Sequence, residues 1–329
     1  PRLVLARNLL RQDGVIFVSI DDNEIANLRE LMDEVFGPEN FVATVIWHKV
    51  HTLKNTARQF SEDHDYLVVY ARNADQWTPN KLPRTEEQDA RFTNPDNDPR
   101  GPWISGPIQA RNFYGKGLYP IVTPSGRRID GPPSGSYWRY SLETFRQLDS
   151  DNRIWWGQTG SNVPRVKRFL SEMDGGRIAQ TIWPHKEVGH NQDAKNELLK
   201  RVEFSSSDSV FDTPKPTRLI KRILMMATDP QCADVVLDFF AGSGTTADAV
   251  IQQNGEDGGN RRYIAVQLGE PTGHDDYARV SDITLTRINA AIEDVEGAET
   301  QGLRVFRLAD SSFCESAADE GLLDLTEST

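Results

Sequence analysis

Cysteine is scarce in this sequence, and long hydrophobic runs are absent from it. Cys232 and Cys314 are the two cysteines among 329 residues, and their spacing fits neither a metal site nor a disulfide framework. We therefore expect a reducing, cytoplasmic environment. No stretch approaches the roughly 18 apolar residues that cross a bilayer, so no membrane partner is expected. His185 and His190 have no further ligands at suitable spacing, so no metal is expected either.

The charge is unevenly distributed along the chain. The net charge of -12 argues at first against nucleic acid. However, residues 91–170 hold twelve basic and six acidic side chains, a net of +6, whereas residues 270–329 have a net of -10. Basic residues interleaved with aromatic ones are typical of a surface that contacts phosphates. A solvated loop face would show the same charge count.

The order of predicted elements indicates an α/β fold with an insertion. Residues 1–72 predict helix, strand, helix and then two strands, at 41–48 and 66–71, that form an antiparallel pair. Residues 73–205 are rich in proline and contain six of the seven tryptophans, which favours a compact, irregular domain over disorder. The α/β pattern resumes with helices at 217–227, 245–253 and 277–295. Strands are predicted at 235–240, 263–268 and 304–308.

A glycine loop follows the predicted strand at 235–240. The loop has no lysine after Gly244, so an ATP- or GTP-binding P-loop is disfavoured. Gly242, Gly244 and Ala247 match a dinucleotide fingerprint loosely. However, Asp238 just before the loop would repel a pyrophosphate. It suits a cationic amino group, such as that of S-adenosylmethionine (SAM), at the carboxyl end of a strand. An ordinary strand–helix turn is the structural alternative.

The same residues resemble a known family. VLDFFAGSGTT (residues 236–246) resembles motif I of the amino-methylating DNA methyltransferases, and FDTPKP (residues 211–216) resembles their motif X. Residues 1–313 resemble the modification subunit of type III restriction–modification systems, which are β-class adenine-N6 DNA methyltransferases. The segments that carry this resemblance are PRLVLARNLL, GVIFVSIDDNE, HDYLVVYAR, NPDNDPRGPW, VPRVKRFLSE and RVFRLADSSF.

This resemblance implies a domain order and a cofactor. It implies a class I SAM-dependent (Rossmann-like) sheet whose catalytic-side part is 1–72 and whose SAM-binding part is 206–310. Between them, 73–205 would form the target-recognition domain; the acidic tail 311–329 resembles nothing. The implied partners are double-stranded DNA, a second copy in a homodimer and a restriction subunit. The cofactor contacts expected from the loop and the two motifs are Asp212, Thr213, Pro214, Lys215, Asp238, Phe239, Phe240, Ala241, Gly242, Ser243, Gly244, Thr245, Thr246, Gln267 and Glu270.

Candidate DNA contacts lie in the basic stretch of the predicted target-recognition domain. Arginines beside aromatic residues on an irregular scaffold suit phosphate and base contacts, although such residues also form turns and cores. The candidates are Asn94, Asp96, Asn97, Arg100, Trp103, Arg111, Lys116, Arg127, Arg128, Arg139 and Lys167.

The chain departs from the family at one motif. The family's Asp-Pro-Pro-Tyr tetrapeptide presents the flipped target base, yet the two Asp-Pro pairs here, 98–99 and 229–230, do not continue to Pro-Tyr. Family order places the tetrapeptide upstream of Pro1. We therefore expect a fragment that lacks the catalytic loop and a central strand and is inactive alone, and we assign no catalytic residue. The alternatives are an N4-cytosine methyltransferase and a non-catalytic DNA- and SAM-binding protein, with a dinucleotide enzyme more distant.

Overall fold

The structure, a computed structural model, describes residues 1–52, 58–173, 175–206, 211–295 and 302–307. The acidic tail predicted at 311–329 lies outside these residues. The helices are α1 (Arg2–Leu9), α2 (Ile25–Phe36), α3 (Glu86–Asp89), α4 (Leu142–Ser150), α5 (His185–Val188), α6 (Asn191–Arg201), α7 (Thr217–Ala227), α8 (Thr245–Asp257) and α9 (Val280–Glu293). The strands are β1 (Val15–Ile20), β2 (Phe41–His48), β3 (His64–Ala71), β4 (Trp103–Pro107), β5 (Gln109–Ala110), β6 (Ile121–Val122), β7 (Arg128–Ile129), β8 (Tyr137–Trp138), β9 (Ile154–Trp155), β10 (Arg165–Phe169), β11 (Ile182–Trp183), β12 (Val235–Asp238) and β13 (Arg262–Ala265).

The chain forms two units. Unit 1 comprises Pro1–His48, Lys54–Pro184 and Arg222–Thr228, and unit 2 comprises Lys49–Leu53, His185–Lys221 and Asp229–Thr329. No helix in the described ranges is both long enough and apolar enough to cross a bilayer.

A four-stranded sheet with the order β1-β3-β2-β11 begins unit 1. β3 pairs antiparallel with both β1 and β2, which confirms the antiparallel pair predicted from the sequence, and β11 runs parallel to β2. The helix α2 covers the sheet because its apolar residues recur on one face. Met32 and Phe36 are fully buried against Val68 and Tyr70. Burying each of these two helix side chains stabilises the fold by about 1.5–3 kcal/mol.

The tryptophan-rich part of unit 1 has its own core and three small antiparallel sheets. One sheet has the order β4-β10-β9, and the pairs β5-β8 and β6-β7 form the others. Trp138 is fully buried in a cluster with Ile108, Tyr119 and Trp156. Burial raises the pKa of Tyr119 to about 12. These residues form a packed but irregular region, as its composition predicts.

Unit 2 contains the parallel pair β12-β13, joined through α8. Val235 pairs with Arg262 and Asp238 with Ala265. On one side Ala265 packs against a buried cluster that includes Ala247 of α8 and Ile288 of α9. The strand–helix–strand unit and the sheet of unit 1 confirm the predicted α/β class.

Some predicted boundaries are wrong in unit 2. β12 ends at Asp238 rather than at residue 240, because residues 239 and 240 already turn toward the loop. β13 ends at Ala265, and α9 begins at Val280 instead of at residue 277. The strand predicted at 304–308 is not formed in its described part, since 302–307 have no regular structure. Val305 and Phe306 are 61% and 84% exposed, so neither side chain packs against a core that would stabilise a strand there.

Candidate functional site

The glycine loop lies at the carboxyl end of β12, between that strand and α8. Backbone hydrogen bonds fix its entry, because Val266 N donates to Asp238 O at 2.8 Å and Ala241 N donates to Val266 O at 3.1 Å. Gly242 and Gly244 both have positive φ, at 53° and 80°. Gly244 is also the N-cap of α8. A side chain is disfavoured at both positions, and this explains why the loop uses glycine.

Asp238 is held in a fixed orientation at the end of β12. Its Oδ2 accepts a hydrogen bond from Thr246 Oγ1 at 2.6 Å, and its Oδ1 accepts one from Phe240 N at 3.0 Å. A carboxylate with both oxygens engaged loses little rotamer freedom when a cationic ligand arrives. The aromatic rings of Phe239 and Phe240 are 5.2 Å apart, and Phe240 is 65% exposed.

Gln267 connects the loop to Glu270. Gly242 N donates to Gln267 Oε1 at 2.7 Å, and Gln267 Nε2 donates to Glu270 Oε2 at 3.2 Å. The carboxylate Asp238, the glycine loop and the amide–carboxylate pair after β13 therefore meet at one edge of the parallel pair. Sequence reasoning placed all of them in one site, and the structure brings them together.

A buried network of charged and hydroxyl side chains holds the loop against α9. Sequence reasoning missed this network. Arg287 of α9 is fully buried; its Nε lies 2.9 Å from Asp248 Oδ2, and its Nη1 donates to Thr245 Oγ1 at 2.8 Å and to Ser243 Oγ at 3.2 Å. Thr284 Oγ1 donates to Gly242 O at 2.5 Å. A basic residue within an otherwise apolar helix face was the available signal. It could not be assigned without knowing that α9 packs on α8.

The second predicted segment, residues 211–216, lines a cleft in the same unit. The cleft has a volume of about 160 Å³ and is lined by Asn191, Gln192, Lys195, Phe211, Asp212, Thr213 and Pro214. Thr213 has a φ of 53°, which is a strained conformation for a β-branched residue and is found mostly at functional sites. Phe211 approaches the loop closely, because a Cβ on Gly242 would lie 3.3 Å from its Cζ. The residues from α6 were missed because helix surface residues carry no local motif.

Several candidate DNA contacts form a buried ion cluster in unit 1, which we call the Lys167 cluster. Lys167 has a fully buried side chain; its Nζ lies 3.0 Å from Asp98 Oδ2 and also binds Asp96. Trp103 Nε1 donates to Asp96 Oδ1 at 2.8 Å, and Arg100 Nη2 lies 2.9 Å from Asp98 Oδ2. These side chains bind one another, so the fold neutralises charges that the sequence count assigned to a surface.

Hydrogen bonds outweigh burial in their effect on the pKa values of the two carboxylates in this cluster. The Arg100 guanidinium, and then Lys167, hold the pKa of Asp98 far below its ordinary value despite burial. Burial alone would raise the pKa of Asp96, but hydrogen bonds from Lys167 and Trp103 outweigh it and lower that pKa.

The other candidate DNA contacts occupy turns and exposed surface. Asn94 closes a turn, because its Nδ2 donates to Asp98 O at 2.9 Å, and Asn97 is an exposed turn residue with a φ of 51°. Five basic side chains are exposed in the small sheets and the loops between them; they are Arg111, Lys116, Arg127, Arg128 and Arg139. Of these, Arg128 Nε lies 2.8 Å from Asp130.

Both Asp-Pro pairs of the chain make structural contacts. Asp98 belongs to the Lys167 cluster, and Asp229 closes a turn by accepting a hydrogen bond from Gln231 N at 2.8 Å. Across the described ranges, no three histidine, cysteine, aspartate or glutamate side chains are placed to hold a metal ion.

A glycine loop and a fixed carboxylate lie at the carboxyl end of a parallel strand pair, which is where α/β proteins bind their ligands. Residues 1–270 match the DNA methylase family that groups N6 and N4 methyltransferases, and the chain belongs to that family.

Among its relatives, the chain is 35% identical to the type III restriction-modification enzyme StyLTI Mod subunit of Salmonella typhimurium, over 89% of this chain and 44% of that protein. It is 27% identical to the EcoP15I Mod subunit of Escherichia coli, over 100% of this chain and 54% of that protein. It is 29% identical to the type II methyltransferase M.KpnI of Klebsiella pneumoniae, over 88% of this chain and 72% of that protein. The chain thus spans about half the length of the two Mod subunits. The solved M1.HpyAVI–SAM complex aligns with a TM-score of 0.38 at 12% identity, covering 88% of this chain and 79% of that one.

Proposed function

We propose that this chain binds SAM at the glycine loop, as part of a DNA methyltransferase that modifies adenine N6 at a specific site in duplex DNA within a type III restriction–modification system. One observation carries the cofactor assignment: the Asp238 carboxylate stands, with both oxygens oriented, immediately before a loop that has no phosphate-binding lysine. An anion in this position favours a ligand with a cationic amino group over one with a pyrophosphate.

Different residues of the site would contact different parts of the cofactor. Asp238 would accept hydrogen bonds from the amino group of the methionine part, and Gln267 and Glu270 would accept them from the ribose hydroxyls. The cleft at residues 211–214 is smaller than the roughly 300–1,000 Å³ of a whole ligand site, so it would hold one end of the molecule. Bound SAM supplies an activated methyl group on a sulfonium. The protein's task is then to orient donor and base and to exclude water.

Equilibrium binding tests the cofactor assignment. Calorimetric titration should show that SAM binds and that NAD does not. Asp238→Asn should weaken SAM binding by about 10- to 150-fold, because a charge-assisted hydrogen bond contributes about 1.5–3 kcal/mol. Asp275→Asn, at an exposed carboxylate in the same unit, is the matched control and should bind SAM like the parent. Tighter binding of NAD than of SAM would overturn the assignment.

The identity of the methylated base is the second proposal. Adenine N6 is favoured by the similarity to type III Mod subunits, whereas the family itself also includes N4 methyltransferases. Incubating the protein with duplex DNA and isotopically labelled SAM, followed by digestion to nucleosides and mass spectrometry, separates the two products. N4-methylcytosine would contradict the proposal. Binding of SAM and DNA without any methylated nucleoside would agree with the expectation from the sequence that this chain is inactive alone.

The partners and the cellular location are also proposed from the similarity to these relatives. Two relatives of this chain are named as Mod subunits of type III restriction-modification enzymes. We therefore propose a homodimer that assembles with a restriction subunit in the cytoplasm. Light scattering of the purified protein should give the mass of two chains, and co-expression with a type III restriction subunit should give a stable complex. A monomer in light scattering, or failure to co-purify, would contradict these assignments.

The DNA-binding surface is proposed to lie on the exposed basic residues of unit 1. Arg111, Lys116, Arg127 and Arg139 are exposed, whereas the side chain of Lys167 is fully buried. The Lys167 cluster would support this surface without contacting the DNA itself.

A further inference from the structure

The loop at residues 111–118 of unit 1 is held at both of its ends by β8. At its start, Ala110 pairs with Tyr137 in the β5-β8 ladder. At its end, Trp138 Nε1 donates a hydrogen bond to Tyr119 O at 2.9 Å. Gly117 approaches β8 so closely that a Cβ there would lie 2.3 Å from Trp138 O. The loop is therefore built onto a buried strand and has a defined shape.

This anchored loop exposes an aromatic side chain. Phe113 is 80% exposed, and Tyr114 next to it is 37% exposed. The ring of Phe113 meets Tyr137 edge to face, with 5.3 Å between the ring centroids, and its Cζ lies 3.7 Å from a Cβ built on Gly115. The ring thus has support along one edge while most of its surface faces solvent. An exposed ring on a loop of fixed shape is therefore available to a partner.

The charge around Phe113 identifies the chemistry of that partner. Arg111 and Lys116 flank it on the loop, and Arg139 follows β8 and donates from Nε to Gln109 O at 3.1 Å. No acidic residue occurs in segments 108–119 and 131–140. These cations therefore have no acidic neighbour within their own segments, in contrast to Arg128 beside Asp130. An exposed aromatic ring and two basic side chains on one loop, with a third basic side chain after the strand that anchors it, suit a nucleic acid, which has phosphates on its outside and stacked bases inside.

We infer that Phe113 is a wedge that inserts at a base step of duplex DNA, while Arg111, Lys116 and Arg139 bind the flanking phosphates. This inference rests on the proposed function and adds to it a side chain that opens the base stack. Apolar wedges of this kind partly unstack a step and kink the duplex, and unstacking is the main cost of their insertion. A duplex whose stack is already interrupted should therefore bind more tightly than an intact one.

The experiment compares two 30-base-pair duplexes of the same mixed sequence, one fully paired and one with a central tandem mismatch. In fluorescence anisotropy, the parent protein should prefer the mismatched duplex. Phe113→Ala should bind that duplex about 5- to 150-fold more weakly, the contribution of one base–aromatic stack, and lose the preference. Phe113→Leu keeps an apolar wedge and should retain most of the preference. Arg111→Gln should instead lower the salt slope of log K by about 1 and leave the preference intact.

Phe60→Ala is the control, because Phe60 is 91% exposed in the same unit and lies outside the loop. It should behave like the parent, and the thermal unfolding midpoint of every Phe113 variant should match that of the parent. A mismatch preference that survives in Phe113→Ala would overturn the wedge and leave DNA binding intact. Failure of the parent protein to bind either duplex would overturn the proposed function together with the wedge.

Discussion

Replacing Arg287 by methionine should destabilise unit 2 and loosen the glycine loop. The guanidinium is fully buried and binds Asp248, which is itself fully buried, at 2.9 Å. Removing one partner of such a pair leaves an uncompensated charge and costs about 3–5 kcal/mol. Asp248 keeps Arg201 as a partner at 3.1 Å, which favours the lower end of that range. The hydroxyl groups of Ser243 and Thr245 lose a donor as well, at about 0.5–1.5 kcal/mol each. We therefore expect a total loss of about 4–6 kcal/mol.

Urea unfolding of the parent and the variant measures this loss, and SAM titration measures its effect on the loop. Arg287→Met should bind SAM more weakly although Arg287 is not among the proposed cofactor contacts. Exchange of the amide protons in the loop should be faster in the variant, which a simple loss of folded protein would not produce selectively. Arg262→Met, at an exposed arginine of β13, is the matched control. Asp248→Leu in the Arg287→Met background should recover part of the stability, since an apolar pair often replaces a buried ion pair. A loss below about 1 kcal/mol in Arg287→Met would refute the reasoning.

Three further predictions concern single residues. Gly244→Ala should cost about 2–4 kcal/mol, because a left-handed φ and a tight Cβ contact add together, and should weaken SAM binding. Lys167→Met should cost about 3–5 kcal/mol, because Asp98 would remain buried with one partner fewer, yet should leave the salt dependence of DNA binding unchanged. Burial raises the pKa of Tyr119 from 10.0 to about 12. The stability that the protonated phenol gives the fold is therefore fully present below pH 10 and is lost as the pH rises from 10 to 12. In urea unfolding, the free energy of unfolding of Tyr119→Phe should fall by about 2–3 kcal/mol less than that of the parent between pH 10 and 12.

Two of these predictions have a control in the chain. Gly258→Ala introduces a side chain at a φ of 66° where nothing lies within 4 Å, so it should cost about 1–2 kcal/mol. An equal cost at both glycines would show that the contact at Gly244 is unimportant. Lys116→Met should reduce the slope of log K for DNA binding against log salt and leave stability unchanged. If Lys116→Met lowered stability and Lys167→Met lowered the slope, the assignments of the two lysines would be reversed. A stability that stays flat from pH 10 to 12 would contradict the shifted pKa of Tyr119.

Local sequence patterns predicted those elements whose stability is decided locally. The strand predicted at 41–48 is β2 with the same ends, and the loop residues were placed together with Asp238 because strand, turn and helix follow directly along the chain. The Lys167 cluster was beyond such reasoning. Asp98 precedes Lys167 by 69 residues, so a charge count along the chain could not show that the two neutralise each other. The role of Arg287 depends in the same way on the packing of two helices.

Unit 1 is also assembled from distant parts of the chain. Asn80 Nδ2 donates to Met225 O at 3.2 Å and to Thr228 O at 2.9 Å, across 145 and 148 residues. At a synthesis rate of about 5–20 residues per second, a ribosome needs about 7–30 s to make the intervening chain. During that interval unit 1 lacks its segment Arg222–Thr228. Slow elongation or a pause in this stretch should therefore lower the yield of folded protein, and chaperones that bind nascent chains should raise it.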